Sequence, residues 1–352
     1  MVARLPQRLS LHRLPPDKTQ PFNKGFEACP LFKTKPGPRP RFCFEPSPTF
    51  LKTMLWQTSR YDIDLSSPKI MGIVNVTPDS FSDGGRCVAT RDALIHCEKL
   101  LRDGAHMLDL GAESTRPGAS VVPVHEELAR LMPVLRDAVK LGVPISVDTH
   151  KPAVMRAALD TGADIVNDIW ALRQPATADS PSSQAVVAAH SRCGICVMHM
   201  HRDPQTMQLL PMQGDVVPEV IRFLQQATDA LQSAGIHRSR ILVDPGIGFG
   251  KTPAQNFSLL AHQQRLLSLG VGVLAGWSRK SSLGHATGDG CAAAPAGTIA
   301  TDRRVPSVVA ALLAVQRGAH VVRVHDVRET AQALAVWHAV QSNAGSPLEV
   351  LG

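Results

Sequence analysis

Three short apolar runs of the sequence each end in a polar residue that carries oxygen acceptors. Asp148 ends Ile-Ser-Val-Asp, Asn167 ends Ile-Val-Asn, and Asp244 ends Ile-Leu-Val-Asp. A carboxylate at the edge of a buried segment is costly unless it is paired or hydrogen-bonded. Any one of these residues could cap the next helix. Three that meet at one pocket instead predict a ligand rich in N–H donors, because a carboxylate can accept two parallel hydrogen bonds from an amino-pyrimidinone edge.

Cationic residues form a second group. Arg116 lies in a loop with Pro and Gly, Lys280 lies within Ser-Arg-Lys-Ser, and Arg323-Val-His325 ends the last apolar run. An isolated arginine in a loop is more often a solvated surface charge. Beside other donors, however, a guanidinium group can bind phosphate or carboxylate through two parallel hydrogen bonds. These residues together predict a polyanionic group, and a diphosphate fits best.

Two further segments have the composition of ligand-binding loops. Residues 75–85 are long for a strand-to-helix connection, as lids and substrate clamps are, although an ordinary turn is the simpler alternative. Asn75 at its start offers a neutral oxygen to a hard cation. Residues 244–251, Asp-Pro-Gly-Ile-Gly-Phe-Gly-Lys, match no nucleotide-binding motif. Their glycines would let the backbone approach a ligand, and Phe249 could stack on a ring.

The elements that must position these residues alternate along the chain. Short apolar runs predict strands, and amphipathic segments between them predict helices. Eight repeats over about 280 residues predict a (β/α)₈ TIM barrel, with a doubly wound open sheet as the alternative. The barrel is favoured because it gathers the polar strand ends around one pocket. The predicted strands are 70–75, 107–110, 144–148, 165–167, 194–199, 241–244, 271–275 and 321–324, and the main predicted helices are 91–102, 125–140, 153–159, 216–234, 305–317 and 328–340.

The 352 residues carry a net charge of +7, which suggests a polyanionic macromolecule as partner. The charge is confined to residues 1–53, which hold ten basic and three acidic residues, so residues 54–352 are neutral overall. This distribution argues against a nucleic-acid-binding protein. Residues 1–53 also hold ten of the 27 prolines, and we expect a disordered extension ahead of a barrel domain at 54–352. An organellar targeting segment and a true start at Met54 are the alternatives.

The remaining composition indicates a cytoplasmic protein that does not enter membranes. No run of about 18 apolar residues occurs, and the N-terminus lacks the apolar stretch of a secretory signal. Seven cysteines without regular spacing indicate a reducing compartment. Cys193 and Cys196, with His190, His199 and His201 nearby, invite a zinc interpretation, but Cys196 and His199 would point to opposite faces of one strand. We therefore expect these cysteines to be free and buried.

These residues together resemble the dihydropteroate synthase family, from about Trp56 to about Trp337. The resemblance implies a (β/α)₈ barrel that is usually a homodimer. It implies an enzyme that condenses (7,8-dihydropterin-6-yl)methyl diphosphate with 4-aminobenzoate, with Mg²⁺, to give 7,8-dihydropteroate and diphosphate. That reaction belongs to folate biosynthesis and is the target of sulfonamides. The segments that carry the resemblance, in the family's order, are 69–85, 111–119, Asp148, Asn167, 244–251, 276–284 and 323–326.

The resemblance also implies roles for individual residues. The implied catalytic residues are Asp148, Lys280, Arg323 and His325. The implied pterin-binding residues are Asp148, Asn167, Met198, Asp244, Lys280 and Arg323. The implied diphosphate-binding residues are Asn75, which acts through Mg²⁺ as the metal ligand, Arg116, Arg323 and His325. The implied 4-aminobenzoate-binding residues are Thr115, Pro117, Phe249 and Ser281.

Two other functions fit parts of the pattern. A pterin-binding methyltransferase of related barrel fold would keep the pterin carboxylate and the asparagine, but it has no use for a diphosphate cluster. The joint presence of Arg116, Lys280, Arg323 and His325 argues against it. A catalytically silent pterin-binding partner of a functional synthase would have lost residues of one substrate loop, and the sequences of both loops are intact.

Overall fold

The computed structural model describes residues 54–76, 85–114, 120–203, 205–288 and 302–343, and for residues 85–89 it describes the backbone alone. The expected disorder of residues 1–53 therefore lies outside the described residues. The domain boundary at residue 54 stays a prediction.

Eight parallel strands close into a barrel in which the last strand pairs with the first. The predicted (β/α)₈ barrel is confirmed, and a doubly wound sheet is excluded because a closed sheet has no edge strands. Every predicted strand is present, and no strand end differs by more than one residue. In chain order the strands are β1 (Leu55–Gln57) and β2 (Asp62–Asp64), which form a separate hairpin, and the barrel strands β3 (Lys69–Asn75), β4 (Met107–Gly111), β5 (Ile145–Asp148), β6 (Ile165–Asp168), β7 (Gly194–Met198), β8 (Ile241–Asp244), β9 (Gly272–Ala275) and β10 (Val321–Val324).

Helices cover the outside of the barrel, because a parallel sheet buries both of its faces. Six of them coincide with the predicted amphipathic segments, although α1 begins six residues before the predicted start, and three others are short. The described helices are α1 (Gly85–Arg102), α2 (Val124–Ala138), α3 (Pro152–Thr161), α4 (Ser183–Ala189), α5 (Val217–Ser233), α6 (Pro253–Ala261), α7 (Ser281–Thr287), α8 (Arg304–Gln316) and α9 (Val327–Asn343).

The three helices that the apolar pattern does not predict, α4, α6 and α7, have seven to nine residues. So few turns give little periodicity to read. Helix α6 nevertheless begins at a capping box, in which the Thr252 hydroxyl accepts from the Gln255 amide at 3.2 Å and the Gln255 side chain accepts from the Thr252 amide at 2.9 Å. This pair is a start signal that the sequence carries locally.

The two faces of each barrel strand have different neighbours. In β5, Ile145 and Val147 pack in the apolar layer between strands and helices. Because alternate side chains point to opposite faces, Asp148 points into the barrel. Its register partners on the neighbouring strands are Gly111 and Asn167. The polar residues at the carboxyl ends of these strands therefore share one layer.

The β1–β2 hairpin packs on the amino-terminal end of the barrel, and the sequence pattern did not predict it. Trp56 is buried among inward-facing side chains of that end, which include Met71, Met107 and Leu242. Its indole nitrogen donates to the Arg240 carbonyl at 3.0 Å. Because the hairpin covers this end, a ligand enters from the carboxyl ends of the strands.

An ion pair ties the hairpin to the barrel. Arg60, in the turn between β1 and β2, makes a two-pronged contact with the buried carboxylate of Asp164, at 2.9 Å through Nε and 2.6 Å through a terminal nitrogen. The same carboxylate also accepts from the Ile145 amide at 2.9 Å. This contact lies at the opposite end of the barrel from the predicted site, so it affects stability without touching a ligand there.

Among the described helices, none combines the length and the apolar character that crossing a bilayer requires.

Candidate active site

Polar side chains meet at the carboxyl ends of the barrel strands. Asn75 pairs in register with Gly111, Gly111 with Asp148, and Asp148 with Asn167. Asp244 stands in register with Met198 on the neighbouring strand. The structure thus brings together the three residues that the sequence singled out as acceptors and places Met198 beside them.

Asp109 is the site residue that sequence analysis missed. It is fully buried in β4, where one oxygen, Oδ2, accepts from Arg323 Nε at 2.5 Å and from the side-chain Nδ2 of Asn167 at 3.2 Å. The other oxygen, Oδ1, has no hydrogen-bond partner in the described part of the chain. A signal was present, since Asp109 is a lone carboxylate between Leu108 and Leu110 in an otherwise apolar strand. A buried carboxylate with an unused acceptor marks a place for a ligand donor.

Arg323 bridges two carboxylates inside the barrel. Its Nε contacts Asp109 and one of its terminal nitrogens donates to Asp148 Oδ2 at 2.7 Å. Burial opposes the charge of Arg323, but the two carboxylates raise its pKa above the ordinary value. Burial raises the pKa of Asp148 to about 7, although Arg323 opposes that shift. The guanidinium group therefore holds together two carboxylates that would otherwise repel each other.

Asp244 presents a largely buried carboxylate to the same pocket. One oxygen accepts from the Gly246 amide at 2.7 Å. The other faces Gly276, where an added Cβ would lie in ordinary contact with it at 3.7 Å. Burial raises the pKa of Asp244, while the Gly246 hydrogen bond and the charges of Lys280 and Lys251 oppose the shift.

Lys251 holds the glycine-rich loop against the end of β7, a role that the sequence did not indicate. Its buried ammonium group donates to the carbonyl oxygens of Gly246 at 2.8 Å, Phe249 at 3.1 Å and His199 at 3.3 Å. Gly246 has φ +70°, and an added Cβ would lie 1.8 Å from the His199 oxygen. Burial lowers the pKa of Lys251 to about 7, which Asp244 opposes. The loop therefore owes its close approach to the barrel to both glycine and lysine.

The loops after β9 and β10 carry the other predicted cationic residues. His325 Nδ1 lies 2.9 Å from the Ser278 hydroxyl, which also accepts from the His325 amide at 3.1 Å. The Lys280 ammonium lies 4.3 Å from the centre of the Phe249 ring, within cation–π range. Ser281 begins α7 and is exposed. Lys280, Phe249 and the His325–Ser278 pair thus line the same face as Asp244 and Arg323.

An apolar shelf adjoins these polar groups. Met198 and Phe249 are buried in a small cluster with Ile169, Met200 and Met207, separate from the main core. Methionine adapts to irregular surfaces and makes favourable contacts with aromatic rings. The shelf is suited to one face of a flat heterocycle.

The second predicted loop lies only partly within the described residues. Thr115, Arg116 and Pro117 are outside them, as are residues 77–84 of the first loop. At the base of the second loop, Glu113 accepts from the Val122 amide at 2.8 Å and from the Lys151 ammonium at 2.7 Å. The two ends of that loop are therefore joined through one carboxylate.

The cysteines behave as the sequence predicted. Cys193 packs in the layer between strands and helices, while Cys196 lies inside the barrel at its closed end. Both are free, as is Cys97. Within the described ranges, no group of three or more His, Cys, Asp or Glu residues could hold a metal ion.

Comparison with known proteins agrees with this geometry. The model of the family described as pterin binding enzyme matches residues 71–325 of the chain, which span all eight barrel strands apart from the first two residues of β3. The fold and the inward-facing acceptors thus define a barrel enzyme of the pterin-binding class.

Relatives within that class are more specific. The chain is 46% identical over 294 residues to the dihydropteroate synthase of Neisseria meningitidis serogroup B, which covers 82% of this chain and 98% of the relative. A solved structure of Xanthomonas albilineans dihydropteroate synthase with 4-aminobenzoic acid is 46% identical, with a TM-score of 0.73, over 84% of this chain and 100% of that one. The solved structure of Burkholderia cenocepacia dihydropteroate synthase complexed with 7,8-dihydropteroate is 44% identical, with a TM-score of 0.71. The match covers 83% of this chain and 98% of that one. This chain belongs to the dihydropteroate synthase family.

Proposed function

We propose that the chain condenses (7,8-dihydropterin-6-yl)methyl diphosphate with 4-aminobenzoate, giving 7,8-dihydropteroate and diphosphate in folate biosynthesis. The observation that carries the proposal is the set of buried acceptors Asp109, Asp148, Asn167 and Asp244 directly beside cationic groups. A pterin presents the N–H donors for the acceptors, and its diphosphate presents the charge for the cations. Both requirements meet in one substrate.

The pterin lies within the barrel in this proposal. Asp244 accepts the N–H groups of its amino-pyrimidinone edge, while Asp109 Oδ1 and Asn167 pair with further ring donors and acceptors. Met198 packs on one face of the ring and Arg323 covers the other. Every polar edge of the ring then has a partner, which a buried heterocycle requires.

Bond making and breaking take place at the pterin methylene. The C–O bond to the diphosphate breaks, and its electron pair stays on the leaving oxygen, where Arg116, Arg323 and His325 stabilise the charge. The methylene becomes cation-like near Asp148. The lone pair of the neutral aniline nitrogen forms the new C–N bond, and the nitrogen then loses one proton. The lid role that the sequence predicts for the loop at residues 75–85 would keep out water, which would compete as the nucleophile.

The 4-aminobenzoate site lies toward the rim. In this proposal Phe249 and Ser281 line it, and the ammonium of Lys280 lies between it and the pterin. The family resemblance assigns Thr115 and Pro117 to the same site, and both lie outside the described residues. Because a sulfonamide has the same aniline ring and an anionic group at the same end, it occupies this site and makes the enzyme a sulfonamide target.

A magnesium ion fits the residues present. Asn75 is exposed at the carboxyl end of β3 and can give the ion one neutral oxygen, while diphosphate oxygens and water supply the rest, as is usual for Mg²⁺. When bound, the ion neutralises charge on the leaving diphosphate.

Chelation by EDTA is expected to abolish turnover, and added Mg²⁺ is expected to restore it. An Asn75→Ala variant should need about tenfold more Mg²⁺ for half-maximal rate, because a weak ligand of the ion is lost. The Mg²⁺ dependence of initial rates measures this, with the exposed Asn343→Ala as control. Equal Mg²⁺ requirements in wild type and Asn75→Ala would remove Asn75 from the metal site.

A Lys251→Met variant is expected to raise the KM for 4-aminobenzoate about tenfold, because the loop that carries Phe249 loses its hydrogen bond to Lys251. The size corresponds to about one buried hydrogen bond to a charged donor. The KM for the pterin substrate should rise less, since Asp244 keeps its Gly246 partner. Steady-state kinetics in each substrate measure the split, with the exposed Lys140→Met as control. Unchanged KM values for both substrates would show that the loop needs no lysine.

Homodimer formation through α8 and α9 is part of the proposal. Val305, Val309, Val336 and Val340 are exposed at i, i+4 spacing on these neighbouring helices. An exposed apolar patch of this kind marks an interaction surface, and a second copy of the chain is the partner that the family implies.

A Val309→Lys, Val336→Lys double variant is expected to be monomeric at micromolar concentration, because two buried charges would face two more across a symmetric interface. Light scattering after size exclusion measures this. Val121→Lys, at a valine that is just as exposed elsewhere, should leave the dimer intact. A monomeric wild type, or a dimeric double variant, would contradict this interface.

The cytoplasm is the compartment we propose, since the three cysteines of the described core are free and buried and thiols stay reduced there.

The function is tested by following diphosphate release. Release should require the pterin diphosphate, 4-aminobenzoate and Mg²⁺ together, and a sulfonamide should compete with 4-aminobenzoate. A pterin-binding methyltransferase, the alternative, would release none under any of these conditions. Release from the pterin substrate alone would instead indicate a hydrolase.

A further inference from the structure

Two cavities adjoin on the outer side of the barrel, between α5 and the loops that follow β6 and β7. The first has a volume of about 260 Å³ and the second about 450 Å³. They share Arg173, Phe223 and Gln226 in their lining and so adjoin at these residues, and we call the two together the groove. None of the acceptors or cations assigned to the reaction lines either cavity, so the groove is a separate place in the fold.

The lining of the first cavity carries an excess of positive charge. Arg173, Arg202 and Arg222 contribute three guanidinium groups, and Glu219 is the single carboxylate of the lining. Arg222 lies 3.7 Å from Glu219, but more than half of each side chain is exposed, so this pair is weak. Arg202 makes no hydrogen bond or ion pair within the described ranges. Three cations that line one cavity with one carboxylate make it attractive to an anion, although the charge of Arg202 also acts on the neighbouring Asp203.

Arg173 is held in position for such an anion. Its Nε donates to the Trp170 carbonyl at 2.9 Å, and its guanidinium carbon lies 5.1 Å from the centre of the Phe223 ring. The two terminal nitrogens make no hydrogen bond to any described residue. The nearby carboxylate of Asp168 is already used, because its oxygens accept from the amides of Trp170 and Leu172 at 2.7 and 2.8 Å. A guanidinium fixed by one edge offers its other edge as a fork.

The backbone of both loops is strained where it places these groups. Ala171 and Leu172, just before Arg173, have φ of +54° and +57°, and Arg202 has φ of +63°. Left-handed conformations at residues other than glycine cost about 1 kcal/mol or more and are found mostly at functional sites. The loops after β6 and β7, which place Arg173 and Arg202 at the same cavity, thus both contain left-handed residues that are not glycine.

The second cavity supplies an apolar extension. Ala171, Leu172 and Pro175 line one side, and Ala227 and Leu231 of α5 line the other. The face of Phe223 lies between this apolar part and the arginines. The combined groove has room for an anionic group at one end and a flat apolar body at the other.

We propose that this groove binds a small amphipathic anion, with a phosphate or carboxylate group on Arg173, Arg202 and Arg222 and an aromatic body along Phe223 toward Leu231. The ligand lies outside the barrel in this proposal. It contacts the loop that begins at His199, one residue after Met198 of the pterin shelf, and His199 itself lines the first cavity.

The test uses 1-naphthyl phosphate as the probe and the full chain as the protein. Calorimetric titration is done with the reaction site saturated by 7,8-dihydropteroate and diphosphate, so that the probe cannot report that site. One equivalent of probe should bind. Inorganic phosphate and 1-naphthol, which each lack one half of the probe, should bind at least about tenfold more weakly, since each loses about 1.4 kcal/mol or more of contacts.

Variants locate the site. Arg202→Glu and Arg173→Met should each weaken probe binding at least about tenfold, while Arg156→Glu, on the exposed surface of α3, should leave it unchanged. Arg202 is exposed, so its variant keeps the proposal testable if Arg173→Met fails to fold. The proposal is overturned if no probe binds once the reaction site is filled, or if Arg202→Glu binds as tightly as wild type.

Discussion

An Asp244→Asn variant is expected to bind the pterin diphosphate at least about 100-fold more weakly than the wild type. Each hydrogen bond to a charged acceptor contributes about 1.5–3 kcal/mol, and about 1.4 kcal/mol changes affinity tenfold. The amide has the shape of the carboxylate but replaces one acceptor oxygen with a donor. That donor would face a ring N–H, so the buried edge of the pterin would lose a partner and meet a like dipole.

The matched control is Asp164→Asn at the closed end of the barrel. Asp164 is as buried as Asp244, but its partners are Arg60 and the Ile145 amide. Its variant should unfold at lower temperature and keep the affinity for the pterin substrate. Calorimetric titration gives the affinities, and thermal unfolding shows whether each variant is folded. A folded Asp244→Asn with wild-type affinity would remove Asp244 from the pterin site.

Replacing Arg323 with Met is expected to lower kcat/KM by about 1000-fold, or about 4 kcal/mol of transition-state stabilisation. Two effects act together. The leaving diphosphate loses a donor that no neighbour replaces. Asp148 also loses the cation that favours its charged form, so its pKa, about 7 with Arg323 present, rises further.

Initial rates as a function of pH separate these two effects. In the wild type Arg323 favours ionised Asp148, so its removal should move the acidic limb of the rate profile to higher pH. Arg323→Lys keeps the charge but not the fork, and we expect an intermediate loss. Arg60→Met removes an arginine that also pairs with a buried carboxylate, but at the other end of the barrel, and should lower stability alone. Wild-type kcat/KM in Arg323→Met would contradict the assigned role.

The sequence predicted the barrel well because its signals are local. Each strand is a short apolar run, and Asp148, Asn167 and Asp244 stand where such a run stops, so their position on the site face follows from the fold class. Asp109 was not predicted because it lies in the middle of an apolar run. The pattern of one strand does not show that Asp109 pairs with Arg323, which is 214 residues further along the chain. Its identity as a lone acid between leucines was the available signal.

Other features depend on contacts that no local pattern encodes. Lys251 donates hydrogen bonds to backbone carbonyl groups. Every residue has such a group, so the sequence does not show which of them accept from Lys251. The β1–β2 hairpin has strands of three residues, too short to alternate visibly, and it is stabilised by Trp56 at the amino-terminal end of the barrel. The roles predicted for Thr115, Arg116 and Pro117 lie outside the described residues and stay predictions.

The most direct test of the proposed condensation follows the amine nitrogen into the product. The purified chain is incubated with the pterin diphosphate, Mg²⁺ and 4-aminobenzoate labelled with ¹⁵N at the amine, and product mass and released diphosphate are both quantified. We expect labelled 7,8-dihydropteroate in a one-to-one ratio with diphosphate, and about 1000-fold less of both with Arg323→Met at equal enzyme and time. Diphosphate released without a labelled pteroate, or no diphosphate at all, would contradict it.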